Sequence, residues 1–273
     1  GAEEQGPDPG RAQGHGAGLA MPRYKLTIEY DGGPFVGWQR QDNGPSVQGA
    51  LEAAAAKLDG GPREVYGAGR TDSGVHALGQ VAHVDLEKDL PADKVRDAIN
   101  HHLKPHPIAV VEAVRVTDEF HARFKAHRRG YIYRLHARRA PLTLTRGQVW
   151  RVYQPLDVEA MHTAAQHLVG THDFTTFRDS QCQADSPVKS LDKIAVFHSG
   201  EEIHVTVEAI SFLHRQVRSI VGSLVEVGLG KWTPEDFKAA LDAADRSRCG
   251  PVAPPDGLYL SLVAYPDGFE LPE

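Results

Sequence analysis

Cysteine is nearly missing from this 273-residue chain: Cys182 and Cys249 are its only two, far apart and in no metal-ligand spacing. That excludes a disulfide scaffold or a zinc ribbon and fits a reduced, cytoplasmic setting. Long apolar runs are missing too; none approaches the ~18 residues that a membrane span needs, so no membrane partner is expected. The first twenty residues have almost no large apolar side chains and lack the basic start and apolar middle of a signal peptide. They read as a disordered tail, with Met21 as an alternative or natural start. No Walker motif occurs, and Gly67-Ala68-Gly69 lacks the third glycine of a dinucleotide fingerprint, so no phosphate-bearing cofactor is expected.

One local absence points to function. From Phe120 to Leu156 there is no Asp or Glu, yet the stretch holds Arg123, Lys125, Arg128, Arg129, Arg134, Arg138, Arg139, Arg146 and Arg151. Phe124, Tyr131, Tyr133, Trp150 and Tyr153 are interleaved with them. A formal net charge of −6 argues on its own against a nucleic-acid partner, but clefts focus local fields, so distribution outweighs the sum. A solvated basic face is the plain alternative. Arginine outnumbers lysine eight to one here, and its planar fork suits phosphate, so RNA is favoured, with Arg123, Arg128 and Arg129 as candidate RNA contacts.

What is present is the make-up of a folded domain, 41% hydrophobic and 24% charged. Arg23 to Tyr30 alternates as a half-buried strand, and Ser46 caps a helix carrying Val47, Leu51, Ala54 and Leu58. Leu78 to Leu86 is a strand, Pro91 opens a helix, and Ile108 to Val116 is a strongly apolar strand. A second round follows. Gly130 to His136 is a strand, Asp157 caps a helix that Gly170 is placed to end, and Ile203 to Ala209 alternates. Phe212 to Val227 is a long amphipathic helix, Thr233-Pro234-Glu235-Asp236 a capping box, and Leu258 to Tyr265 the closing strand. The class is α+β: two pseudo-equivalent halves with mainly antiparallel sheets flanked by helices, and a basic cleft between them. The expected boundaries are a tail over 1–20, halves over 21–125 and 126–267, and a short tail over 268–273.

The richest ten residues are Gly67-Ala68-Gly69-Arg70-Thr71-Asp72-Ser73-Gly74-Val75-His76. Arg70 lies two positions before Asp72, and a nearby guanidinium favours the charged form of a carboxylate. Glycines allow positive φ and close approach of a bulky ligand. An exposed ionised oxygen is what a carboxylate nucleophile requires. Asp72 is also readable as a surface loop acid or as a helix cap. A Ser73–His76–Asp72 triad is set aside, because three members within five positions hardly reach one another and no Gly-x-Ser-x-Gly elbow surrounds Ser73.

Other candidates weigh less. His101, His102 and His106 have no acid or cysteine partner nearby and read as solvent-facing helix-end residues, so no metal is expected. Tyr131 and Tyr133 share one strand face: one suits the core, the other stacking on a base. His214, Arg215 and Arg218 crowd a helix N-terminus, where cations oppose the dipole unless an anion sits among them. Arg218 is therefore a site candidate, with a structural ion pair as the alternative.

The chain resembles the tRNA pseudouridine synthase A (TruA) family. The resemblance rests on Gly69-Arg70-Thr71-Asp72-Ser73-Gly74-Val75-His76 with Gly79-Gln80-Val81, on Glu29-Tyr30-Asp31-Gly32 with Gly37-Trp38-Gln39-Arg40-Gln41, and on Ser46-Val47-Gln48. It continues through Phe120-His121-Ala122-Arg123-Phe124, Tyr131-x-Tyr133, His172-Asp173-Phe174, Val217-Arg218-x-Ile220-Val221-Gly222 and Gly257-Leu258-Tyr259-Leu260, covering about 21–267. Ser73 stands where the family commonly has alanine.

That resemblance implies isomerisation of uridine to pseudouridine at nucleotides 38 to 40 of the tRNA anticodon stem–loop. Asp72 falls on the essential aspartate, Tyr131 on the base-contacting tyrosine, and Arg70 on the arginine that pairs with the aspartate and helps displace the base. It further implies no cofactor or metal, and a homodimer in which tRNA contacts both subunits. Breaking a glycosidic bond develops oxocarbenium character that a carboxylate can trap; addition of Asp72 to C6 of the ring is the other route. The rivals are a synthase acting on another RNA, a hydrolase releasing uracil, and a non-catalytic RNA-binding protein.

Overall fold

The computed structural model describes residues 21–272. The expected tail over 1–20 lies outside the described residues.

Among the described residues ten strands form one sheet: β1 (Arg23–Tyr30), β2 (Val65–Gly67), β3 (His76–Asp85), β4 (Ile108–Val116), β5 (Arg128–Ala137), β6 (Trp150–Val152), β7 (Gly170–Asp173), β8 (Val188–Ser199), β9 (Glu202–Ala209) and β10 (Leu258–Ala264). Five helices of the same residues flank it: α1 (Val47–Asp59), α2 (Ala92–Leu103), α3 (Val158–Gln166), α4 (Gln216–Gly228) and α5 (Pro234–Asp242). The strand order is β4-β1-β3-β10-β5-β9-β8-β7, with β2 added on β3 and β6 on β5. Pairing is antiparallel except for β10 with β3 and β5 with β6. The α+β class with mainly antiparallel sheet agrees with the sequence pattern. The two rounds of strands share a single continuous sheet, joined in its middle by β10.

Local chemistry explains most elements. Tyr24, Leu26, Ile28 and Tyr30 on β1 are all buried, as the period of two demands. The Ser46 hydroxyl accepts from the Gly49 amide at 3.1 Å to start α1, and Gly60 ends it in the left-handed region. The Asp157 carboxylate accepts from the Ala160 amide to start α3, and Thr233 and Asp236 form a reciprocal capping box at α5. Gly170 does not cap α3, which ends at His167; with φ +102 it instead opens β7. The helix expected from Phe212 begins only at Gln216, because Arg215 has φ +56 and breaks the helical path.

Two large apolar clusters lie against the sheet. One packs Tyr24, Leu26, Ile28, Leu51, Ile99 and Leu103 under α1 and α2. The other packs Tyr133, Phe174, Phe177, Val205, Leu224 and Phe237 under α3, α4 and α5. Burying each such side chain stabilises the fold by roughly 1.5–3 kcal/mol. Tyr131 packs against both clusters, and that seam is where the chemistry-bearing loop lies.

Candidate active site

The loop from Gly67 to His76 joins β2 to β3 and is fastened along its length. The Ala68 amide donates to the Val81 carbonyl, and the Gln80 side-chain amide donates to the Gly69 carbonyl at 2.9 Å. The Trp38 amide donates to the Thr71 carbonyl at 3.0 Å, while the Tyr30 and Thr71 hydroxyls are hydrogen-bonded at 2.8 Å. Gly37 forms an isolated antiparallel bridge with Asp72. With φ +122, and with a β-carbon there falling 2.7 Å from the Thr71 carbonyl oxygen, no larger residue fits without strain. Gly74, at φ +79, turns the chain back into β3. His76 closes the loop: its Nδ1 lies 2.9 Å from the Gly32 amide and 3.1 Å from Asp31 Oδ1, and its Nε2 faces the Gly147 and Asp256 carbonyls.

So held, Asp72 points across the seam to residues at the start of α4. His214 Nε2 lies 3.0 Å from Asp72 Oδ1, and an Arg218 terminal nitrogen lies 3.5 Å from Oδ2. The carboxylate side chain keeps 27% exposure, enough to meet a substrate. Arg218 is anchored by Nε donating to the Ala253 carbonyl at 2.8 Å. Burial lowers the pKa of Arg218 while the Asp72 charge opposes that; an arginine remains cationic in either case.

A second carboxylate stands behind His214. Asp179 Oδ1 is 3.7 Å from His214 Nδ1, and Arg215 donates to Asp179 Oδ2 at 3.1 Å. Burial by itself would raise Asp179, but the Gln181 amide, Arg215 and His214 together hold it below the usual carboxylate range. The order Asp72, His214, Asp179, Arg215 is thus an alternating chain of acids and bases.

Of the two tyrosines, Tyr133 is the core residue, fully buried with its hydroxyl donating to the Pro254 carbonyl at 2.6 Å. Tyr131 faces the site. Its ring meets Phe212 edge-on with centroids 5.2 Å apart, and burial first, then the nearby Asp72 charge, pushes its hydroxyl up to about 12. It is a neutral phenol at neutral pH.

The expected pairing of Arg70 with Asp72 is not what the structure shows. Arg70 is exposed and makes no ion pair among the described residues; Arg218 and His214 take that place. The carboxylate turns toward His214 and Arg218 at the start of α4, while Arg70 stays exposed. His214 and Asp179 were not singled out from sequence as site residues. Only the crowding of cations before α4 signalled His214, and nothing local signalled Asp179.

The three arginines expected at RNA have different surroundings. Arg129 donates to the carbonyls of Ala68 at 2.9 Å, Arg123 at 3.0 Å and Ile210 at 2.7 Å, stapling the loop to two neighbouring segments. Arg128 pairs with Glu208 at 3.3 Å. Arg123 is exposed, with its guanidinium over the Phe124 ring and no acid partner among the described residues. Glu202 likewise accepts from two of the three guanidinium nitrogens of Arg134, at 2.7 and 2.8 Å, so β9 supplies acids that the stretch from Phe120 to Leu156 lacks. Among the described residues no three His, Cys, Asp or Glu side chains are grouped to hold a metal ion, and no helix is long and apolar enough to cross a membrane.

Comparison with known proteins gives a consistent result. The family model described as tRNA pseudouridine synthase matches residues 26–125 and 164–266. The chain is 74% identical over 246 residues to the tRNA pseudouridine synthase A of Maricaulis maris, covering 90% of this chain and 99% of that one. It is 63% identical over 245 residues to the protein of that name from Rhodopseudomonas palustris strain HaA2, covering 90% and 100%. With its namesake from Nitrobacter winogradskyi the identity is 61% over 245 residues, covering 90% and 96%.

Proposed function

The chain belongs to the tRNA pseudouridine synthase family, and from that premise we propose an isomerase in which Asp72 is the nucleophile. Its substrate in this reading is uridine at positions 38 to 40 of the tRNA anticodon stem–loop. The observation that carries it is the Asp72 carboxylate held half-exposed between His214 and Arg218, with the neutral Tyr131 phenol beside it.

The reaction is an isomerisation that leaves the composition of the nucleotide unchanged. The N1–C1′ bond breaks, the uracil turns, a C5–C1′ bond forms, C5 loses its proton and N1 gains one. Asp72 either traps C1′ as positive charge develops there or adds to C6 of the ring; both routes use the same anchored oxygen. His214 and Arg218 fix the direction of that oxygen, and pre-set geometry is worth several kcal/mol of barrier, on the order of 7–11 in the best cases. The target base leaves its stack first, at a cost of a few kcal/mol. In this reading Arg70, exposed two positions before the nucleophile, fills the vacated space, and Tyr131 stacks on the extruded uracil. Arg123 is free for phosphate, whereas Arg128 and Arg129 support the surface on which RNA lies. A cytoplasmic homodimer is the accompanying proposal for the assembly.

The test is tritium release from 5-tritiated uridine in anticodon stem–loops. Asp72→Asn is expected to abolish release while RNA affinity stays within about threefold. Free uracil as product would identify a hydrolase, and full release by Asp72→Asn would remove the nucleophile. Unchanged anticodon-arm pseudouridine in a deletion strain would move the substrate to another RNA.

A further inference from the structure

We propose that the ring cluster Tyr66–His83–His121–Phe124, bordered by Arg123, is a stacking site for an unpaired nucleobase of the RNA substrate. This deepens the reading of the chain as an RNA-modifying enzyme and rests on it.

The cluster is assembled from three parts of the chain. Tyr66 on β2 and His83 on β3 are register partners, and their rings stack with centroids 5.0 Å apart and planes 15° from parallel. His121, in the segment between β4 and β5, meets His83 at 4.6 Å and Tyr66 at 5.8 Å. Phe124 follows, 4.3 Å from His121. The inner end is buried and the outer end is open: His83 is 2% exposed, Tyr66 44% and Phe124 73%.

Hydrogen bonds hold the inner rings still. His83 Nδ1 accepts from the Ala122 amide and His121 Nδ1 from the Arg123 amide, both at 3.1 Å. The Tyr66 hydroxyl donates to Glu64. Burial, reinforced by Arg23, keeps both imidazoles neutral at neutral pH. Neutral, immobile rings offer π-faces and no charge, which suits a base and not a phosphate. The charge needed for the adjoining phosphates is present at the rim, in exposed Arg123, whose guanidinium lies 5.7 Å from the Phe124 ring centroid, and exposed Lys125.

Position ties the cluster to the reaction. Tyr66 directly precedes the loop that carries Asp72, and Arg129 bonds the Ala68 carbonyl of that loop and the Arg123 carbonyl of the cluster through one guanidinium. The cluster thus adjoins the root of the loop that carries Asp72, and its Phe124 ring is uncovered and open to an unpaired base of a bound RNA. Without an occupant, a large aromatic left this open contributes nothing to the core.

The experiment measures KM and kcat for anticodon stem–loop RNA with Phe124→Ala, Phe124→Leu and Phe124→Tyr. Stacking predicts that Ala and Leu raise KM about tenfold with kcat within about twofold, and that Tyr restores wild-type KM. An abasic spacer walked through the RNA loop outside the target uridine is expected to weaken wild-type binding at one position and Phe124→Ala at none. Unchanged KM in Phe124→Ala, or Leu as good as Tyr, overturns the proposal. So does a shifted sedimentation coefficient with unchanged RNA affinity, which would make the surface a contact between copies of the chain. Direct binding of labelled RNA to the same variants reads stacking even if no tritium is released, so failure of the reaction assignment remains distinguishable.

Discussion

The His214 imidazole hydrogen-bonds the Asp72 carboxylate at 3.0 Å although 142 residues separate them. A hydrogen bond to a charged group is worth about 1.5–3 kcal/mol. If it orients the nucleophile, His214→Ala is expected to slow single-turnover pseudouridine formation by about ten- to a hundredfold, with RNA affinity within about threefold. An unchanged single-turnover rate would show that the contact is structural only.

Arg218 does two jobs with one guanidinium, bonding the Ala253 carbonyl at 2.8 Å through Nε and facing Asp72 Oδ2 at 3.5 Å through a terminal nitrogen. A lysine ammonium is a point charge and cannot span both. Arg218→Lys is therefore expected to lose at least about tenfold in kcat, measured by tritium release, despite keeping its charge. Near-wild-type turnover in that variant would show that charge alone suffices.

The loop's geometry depends on a residue outside it. Gly37→Ala places a β-carbon against the Thr71 carbonyl at a positive φ, a strain of about 1–3 kcal/mol. The expected result is a melting temperature lower by about 5 °C together with reduced kcat, because the strained bridge is the one to Asp72. Thermal melts and steady-state rates on one preparation test this, and a normal kcat at lowered stability would uncouple the bridge from the chemistry.

His83 makes the fold acid-sensitive. Burial first, then the positive charge of Arg23, lowers its pKa from 6.5 to about 4. The unfolded chain takes up this proton near pH 6.5 and the folded chain only near pH 4. The stabilisation is thus complete above pH 6.5 and is lost as pH falls toward 4, the loss amounting to about 2–3 kcal/mol by pH 4.5. Urea melts of wild type and His83→Gln at pH 7.5 and 4.5 are expected to show a smaller pH difference in the variant; equal differences would assign the acid sensitivity elsewhere.

What was legible in the sequence was local. The alternation of β1 and the capping box of α5 depend on residues within a few positions, and both stand where expected. β8 was not foreseen, because its pairing with β9 shifts register between Leu191 and Lys193 and interrupts the period of two. The start of α4 was misplaced by one backbone angle, at Arg215. In the site, Asp72 and Tyr131 stood out by their neighbours, while the partners of Asp72 come from elsewhere in the chain. Sequence proximity therefore points to Arg70, whereas spatial proximity belongs to His214.

The place of β10 in the sheet has a consequence for the order of synthesis. Leu260 lies opposite Ala77 on β3 and opposite Tyr131 on β5, so this late strand joins the strand that follows Asp72 to the strand that bears Tyr131. On the ribosome, β3 and β5 emerge long before β10 exists to join them. Each half can collapse on its own apolar cluster while the seam stays open. The edge-to-edge pairing of residues 258–264 with both strands is thus what sets the distance between Asp72 and Tyr131, and a change in this late strand is felt in the site although it carries no site residue.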